Sequence, residues 1–401
     1  MTATLRRLAR APAAKPPVRV ADRWRGFGGT GRFPRLLPRA VGRLVLGAYV
    51  PARTLAWPPA SRLFVVGDEL GWSIDDDAER LSATARRLGY EVAPRAWARF
   101  AEGQAVFVHD HFGALRPRWL ESTHRLGLSY FHGRPGTEAH PEFDEVYDRL
   151  RRAAARVDRV QVTHGEMYEL VEAAGVDPAK IFRIPIGVDI ERFPLGDAHA
   201  RADARSELGL PATAFVVGSL QKDGVGWGAG LEPKHVKGPD VLVATLGRLH
   251  ATIPELFVLL CGPARGYVRK ELERMAIPHE HVRVDSRDQL AGIYHALDVY
   301  LVTSRQEGGP KAAFEAAAAG VPLVTTRVGQ AQELLTEGLD ALLADVDDVD
   351  ALVAHVQHVY DDITLATRLR EAGRVTAGRY REERLDPLWD ELLRGFVGRA
   401  N

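Results

Sequence analysis

The chain has 401 residues, of which 46% are apolar and 26% charged. At roughly 100–200 residues per domain that length allows about two domains, and the balance excludes a wholly disordered or fibrous chain. Lys plus Arg and Asp plus Glu both number 53, yet residues 1–60 hold twelve basic residues and one acid, Asp22, so a +11 arm precedes a −11 body.

In chain order, residues 1–60 come first as a basic N-terminal arm, rich in Pro and Arg and dotted with Trp24, Phe27, Phe33, Tyr49 and Trp57. The chain contains no run of eighteen uncharged apolar residues, so no transmembrane helix is expected. Leu44–Val50 is too short to span, and the Arg-rich start up to Arg10 is not followed by the apolar region of a secretory signal. The arm reads either as a loosely docked extension or as a peripheral contact with an anionic membrane face, where each basic residue contributes about 1 kcal/mol. A lone cysteine, Cys261, excludes an intrachain disulfide framework and a cysteine zinc cluster, and fits a cytoplasmic location, with the arm at the inner face of the membrane.

From Leu63 onward short β-branched runs alternate with helical patterns. Strands are predicted at Leu63–Asp68, Ala105–His109, Leu128–His132, Arg159–Thr163 and Ile181–Ile186, and a helix at Asp75–Leu88 with Gly89 as its stop. Continuous apolar strands imply a parallel sheet covered on both faces. A polar connection is expected through Asp203, after which the pattern restarts at Phe215–Leu220, Leu256–Cys261, Val282–Asp285, Val299–Thr303 and Val321–Thr325, with a helix near Asp348–Val359. The tail Thr376–Val397 reads as helical, interrupted by Pro387. The predicted architecture is therefore α/β. Two doubly wound, Rossmann-like domains, residues 61–205 and 206–375, face a central cleft, and a helical tail, 376–401, packs back towards the first. Ligands in such sheets bind beyond the carboxyl ends of the strands.

The strongest motif is SRQEGGPKAAFEAAAAG, Ser304–Gly320, which follows an apolar strand and opens a helix at Pro310. Gly308 and Gly309 would let backbone approach a ligand, and free N–H groups at the helix start favour an anion or hydroxyls. Glu307 and Glu315, with seven residues between them, could each accept two hydroxyls of a sugar diol. The eighteen-residue loop Gln221–Gly238 is far longer than the usual 2–6 residues. It carries Lys222, Lys234 and Lys237, three of only seven lysines against 46 arginines, and a fourth, Lys311, lies beside the glutamates. A compact ammonium suits phosphate.

Other constellations read more plainly. Gly224-x-Gly226-x-x-Ala229 fits a dinucleotide fingerprint formally, but nine residues separate it from the next helix, and no GxxxxGK[ST] string exists. Asp75–Asp77, and Asp345 with Asp347 and Asp348, are read as acids complementing helix starts. His109, His111 and His132 sit at strand ends facing the cleft. His132 is read as a substrate hydrogen-bonder and His109 as polar filler, and no metal site is expected.

Taken together, these segments resemble glycosyltransferase family 4, the retaining GT-B group, over most of residues 63–395. The carriers are IPIGVDIERF (Ile184–Phe193), GSLQK with KGPD, EGGPKAAFEAAAAGVPLVTT and GQAQELLTEGLDALLADVDD. The resemblance implies transfer of a hexose from a nucleotide diphosphate sugar to a hydroxyl acceptor, a glycan, a glycolipid or a small molecule, without a metal or other cofactor. It assigns Glu307 to the transferred sugar, Glu315 to the ribose and Lys237 to the diphosphate. Gly308, Gly309, Pro310 and Lys311 complete the donor side, and Lys222 substitutes for the usual arginine. Gly71, His111 and His132 form the acceptor side, with Glu307, His132 and Lys237 at the reaction centre. The implied setting is cell-envelope polysaccharide synthesis with a lipid-linked acceptor, and no nucleic-acid partner is expected. Rival readings are a nucleotide-sugar epimerase or phosphorylase on the same fold, or a non-catalytic donor-binding subunit. The arm makes one prediction: deleting residues 1–55 should release the protein from anionic vesicles in a flotation assay, and equal binding by both forms would refute the membrane contact.

Overall fold

The computed structural model describes residues 57–68, 73–284 and 286–399, together with a two-residue strand, β1, at Val18–Arg19. The first lobe is built on five parallel strands in simple sequential order: β2 (Leu63–Val66), β3 (Ala105–Val108), β4 (Arg125–Ser129), β5 (Arg159–Val162) and β6 (Ile181–Arg183). Alternation along these strands feeds two cores. Phe64, Val106 and Val108 pack inward on one face. Leu63, Val65, Ala105 and Phe107 pack on the other, against the helix Ser73–Arg87 and a helix from the end of the chain, Asp386–Leu393. That last helix is held by Arg87 Nε to Asp386 Oδ2 at 2.8 Å and by the Tyr90 hydroxyl donating to Asp390 at 2.8 Å.

The second lobe has seven parallel strands: β1, then β9 (His279–Arg283), β8 (Leu256–Cys261), β7 (Phe215–Leu220), β10 (Val299–Val302), β11 (Leu323–Thr326) and β12 (Leu342–Ala344) in spatial order. The order runs outward in both directions from the β7–β10 pair, which makes this pair the topological switch point. The loops leaving β7 and β10 therefore border one crevice. Both faces are covered, by two separate apolar clusters.

Several elements differ from the sequence expectations for identifiable reasons. The last part of the expected polar connection through Asp203 already belongs to the helix Ala198–Leu208. Asp197 caps it by accepting from Ala200 N at 2.8 Å, and Gly209 ends it in the left-handed region at φ 65°. β4 starts three residues before the apolar run because Gly127, without a side chain, leaves room for Phe107, whose Cδ2 would lie 2.5 Å from an added β-carbon. β9 ends at Arg283, ahead of the Val282–Asp285 expectation, and Asp285 is outside the described residues. Pro387 does not interrupt the tail; it lies in the first turn of the final helix, where its missing N–H costs nothing. The break falls earlier, after the helix Ile363–Arg379, and there Val188 N donates to Tyr380 O at 3.0 Å.

The lobes meet along a polar seam. Thr163 Oγ1 donates to Gly308 O at 2.6 Å. The Gln330 side chain accepts from Ile186 N at 2.7 Å and donates to Ile186 O at 3.1 Å. Among the described residues no helix is long and apolar enough to cross a membrane.

Candidate active site

The loop after β7 is not slack. Asp223 and Arg265, both fully buried, form an ion pair at 3.0 Å at its root. Val225 N donates to Glu232 O at 2.9 Å, and Gly224 bridges Pro233, so residues 224–233 form a hairpin. Gly266 N and Tyr267 N donate to Ala229 O and Gly230 O at 2.8 Å each, which pins the hairpin to the start of the helix Gly266–Arg274. Gly230, at φ 70°, lies where an added β-carbon would be 2.2 Å from Ala264 O. Of the two glycines that mimic a dinucleotide fingerprint, Gly224 serves this packing, an added β-carbon there lying 2.4 Å from Ala264 O, whereas Gly226 faces open space.

The return limb of the loop brings its lysines to the crevice. Gly238 has φ 58°, and an added β-carbon would sit 1.9 Å from Thr303 O at the end of β10. Thr303 Oγ1 donates to Gly238 O at 2.9 Å, and Arg305 N and Gln306 N both donate to Val236 O, at 2.8 and 3.1 Å. These bonds set the two loops side by side, and Lys237 Nζ consequently lies 2.7 Å from both carboxylate oxygens of Glu307. Ser304 Oγ donates to Glu307 Oε1 at 2.8 Å.

Glu315 lies one turn into the helix Lys311–Ala318, for which Pro310 is the N-cap residue and not the first helical one. Its carboxylate is buried, accepting from the Tyr294 hydroxyl at 2.9 Å and from Arg287. Sequence reasoning missed Ser304, Tyr294 and Arg287. Ser304 and Glu307 were legible as neighbours on one loop, whereas Arg287 and Tyr294 arrive through a separate strand-to-helix connection.

Two donor-side expectations are altered. On the side where a side chain would stand, Gly308 and Gly309 are approached by protein: added β-carbons would lie 2.3 Å from Phe131 Cβ and 2.8 Å from Gln330 Oε1. Lys311 stands apart from the other lysines, bridging the lobes through Asp76 at 2.9 Å and Asp77 at 2.6 Å. Those aspartates therefore do more than complement a helix start. Lys222 lies 4.9 Å from the centre of the Trp227 ring. Lys234 is held down to about 8 by burial and by Lys237 and Lys222 beside it. The Asp348 reading stands, since its side chain accepts from Ala351 N at 2.9 Å.

On the acceptor side, Gly71 lies outside the described residues. His132 is half-buried, its ring edge-on to His111 at 5.6 Å and Phe143 at 5.7 Å. Burial, then His111 and Lys237, push its imidazole well below the usual histidine range, and its buried Nδ1 has no hydrogen-bond partner. His111 is buried against Tyr130 at 4.4 Å, and burial lowers it to about 3. His109 accepts from or donates to Ser129 Oγ at 3.0 Å, is lowered by burial to about 4, and borders a cavity of about 40 Å³ with Asp77, Arg80 and Gln161. Among the described residues no group of three or more His, Cys, Asp or Glu converges on a possible metal position.

Residues 223–362, which carry Lys237, Glu307 and Glu315, match the family model described as glycosyl transferases group 1. Among curated proteins, the D-inositol 3-phosphate glycosyltransferase of Corynebacterium urealyticum is 27% identical over 291 residues, 70% of this chain and 66% of that protein. That of Corynebacterium jeikeium is 30% identical over 197 residues, 46% of this chain and 45% of that protein. Over residues 223–362 the chain is similar to the glycosyl transferases of group 1. The match spans about half to two thirds of these two relatives' length. The fold is shared with HepE of Anabaena, solved with UDP and glucose, at a TM-score of 0.66 and 15% identity over 84% of this chain and 99% of that one. It is likewise shared with sucrose-phosphate synthase of Thermosynechococcus elongatus, at 0.65 and 18% over 83% and 98%.

The buried histidines of the first lobe set a pH dependence. Unfolding returns His109 and His111 to an ordinary value of 6.5, so the unfolded chain binds more protons below that pH. The stability they contribute is fully present above about 6.5 and is lost as pH falls towards about 4, at about 1.4 kcal/mol per pH unit for each histidine. Thermal melts between pH 7 and 4 should therefore fall more steeply for the wild type than for His111→Gln; parallel curves would contradict this.

Proposed function

We propose that the protein moves a hexose from a nucleotide diphosphate sugar to a hydroxyl acceptor with retention of configuration and without a metal ion. The observation that carries this reading is the Lys237–Glu307 pair at 2.7 Å, at the switch point of the second lobe, with Glu315 buried one turn into the adjoining helix. The relatives' names support glycosyl transfer, and the UDP and glucose bound to HepE support a nucleotide-sugar donor.

In this reading the donor diphosphate takes Lys237 from Glu307, with Lys222 as a further cation and the N-termini of the helices Pro239–His250 and Lys311–Ala318 adding partial positive charge. Glu307, released, accepts hydroxyls of the transferred hexose, and Glu315 accepts those of the ribose. His132, neutral at pH 7, offers an imidazole nitrogen to the sugar or the acceptor hydroxyl. No protein nucleophile is required: the bond from the anomeric carbon to the diphosphate oxygen breaks, and that oxygen takes the proton of the acceptor hydroxyl as it bonds on the same face. The protein positions both substrates and stabilises the charge of the leaving group. A polyol phosphate, such as the relatives' names contain, belongs among the acceptors to test, and a lipid-linked acceptor of cell-envelope synthesis fits a cytoplasmic enzyme touching the membrane through its basic arm.

Calorimetric titration with UDP-, GDP-, ADP- and dTDP-glucose should show one donor bound selectively. Glu315→Ala should weaken that donor roughly ten- to hundred-fold, the worth of a charge-assisted hydrogen bond; unchanged affinity would sink the ribose assignment. Sugar transfer should continue in EDTA, and loss of transfer restored by a divalent ion would count against the lysine-based mechanism.

A further inference from the structure

Asp76 lies in the first turn of the helix Ser73–Arg87, in the first lobe, yet two of its four cationic partners, Lys311 and Arg287, come from the second. Its carboxylate is 2.9 Å from Lys311 Nζ, 3.5 Å from Arg287 Nε and 3.8 Å from Arg192, as well as 2.9 Å from Arg80 on its own helix. A helix start is complemented by any exposed acid, at about 0.3–1 kcal/mol. A mostly buried carboxylate among four cations calls for a different account. Burial alone would raise Asp76, but Lys311, Arg80 and Arg287 bring it down to about 2, so it is ionised at any working pH.

Arg287 connects this centre to the donor side. It stands on the short turn Arg287–Gln289; its Nε faces Asp76, and its terminal nitrogen donates to Glu315 Oε1. Glu315 Oε2 accepts from Tyr294. A carboxylate offers about four acceptor positions, so these two donors leave about two for a diol. A side chain as long as arginine carries about 2 kcal/mol of rotamer entropy, and a single contact would leave Arg287 loosely placed. Asp76 supplies the second anchor, but only while the lobes are together.

We propose that Arg287, braced by Asp76 of the opposite lobe, is a positioning residue that sets Glu315 for the ribose of the donor, so that the donor is gripped fully only when the lobes are closed. This rests on the ribose assignment made above. An acceptor-lobe carboxylate then governs donor affinity without touching the donor.

The test is a double-mutant cycle on the full chain, read as the dissociation constant of whichever of UDP, GDP, ADP and dTDP binds best. Asp76→Asn and Arg287→Met should each weaken it about ten-fold, and the double variant no further than the weaker single one, as expected for coupled neighbours. Arg287→Lys, which keeps a charge, should recover part of the loss, and kcat at saturating donor should change far less than KM. Independent, additive effects, or unchanged affinity in a folded Asp76→Asn, would overturn the proposal. If Asp76→Asn fails to fold, Arg287→Met and Arg287→Lys decide it alone, since full affinity in Arg287→Met is equally fatal. Glu315→Gln separates the two levels: if that change spares affinity, the ribose assignment itself has failed; if it weakens binding while the cycle is additive, only the bracing has.

Discussion

Gly238 runs so close to the end of β10 that an added β-carbon would be 1.9 Å from the Thr303 carbonyl oxygen, and the geometry of the crevice follows from that contact. With backbone against backbone, the loop from β7 can lend Val236 O to two consecutive amides, those of Arg305 and Gln306. The ammonium of Lys237 then has little choice but to meet Glu307. The same constraint recurs at Gly308 against Phe131, and at Gly329, where an added β-carbon would lie 2.5 Å from Glu307 O. A side chain at any of these positions would have to push a lobe or a loop aside. The crevice is thus shaped by absent side chains as much as by present ones.

Charges are then placed within that frame, and they differ in kind. Pairs on the outer surface, such as Arg248 with Asp350, contribute little because water screens them. The pairs in and beside the crevice, Lys237–Glu307, Arg287–Glu315 and Lys311–Asp76–Asp77, are mostly shielded, so breaking one by removing a partner leaves a charge unsatisfied. Neutral bonds of the seam, such as Thr163 to Gly308, add about 0.5–1.5 kcal/mol each. A few such contacts sum to the same order as the roughly 8 kcal/mol of micromolar ligand binding.

The second-lobe sheet and its two glutamates were readable because their signals are local: an apolar strand, a glycine-rich loop and a helix within about twenty residues. Lys237 was readable for a similar reason, since lysine is scarce in this chain and clusters in one overlong loop. What could not be read was pairing at a distance. Asp75–Asp77 looked sufficient as a helix start because the sequence gives no hint that Lys311, more than two hundred residues later, points at them. Arg287 is one of 46 arginines and has no motif around it. The glycine pair 308–309 was recognised as needing close approach, but whether ligand or protein does the approaching depends on how the lobes dock.

The Lys237–Glu307 pair is made within the second lobe, where two of its loops lie side by side. In the crevice the two side chains satisfy each other, so neither is left as a bare charge where solvent is scarce. On the proposed function, a diphosphate and a sugar arriving together would replace both partners at once: the phosphate would take the ammonium, and hydroxyls the carboxylate. Either fragment alone would satisfy one group and strand the other. The pair would then favour a ligand carrying an anion and a diol at the right separation over one carrying only the anion. Discrimination of this kind is built from the cost of an unpaired buried charge, and it requires no additional residue beyond the two already in contact.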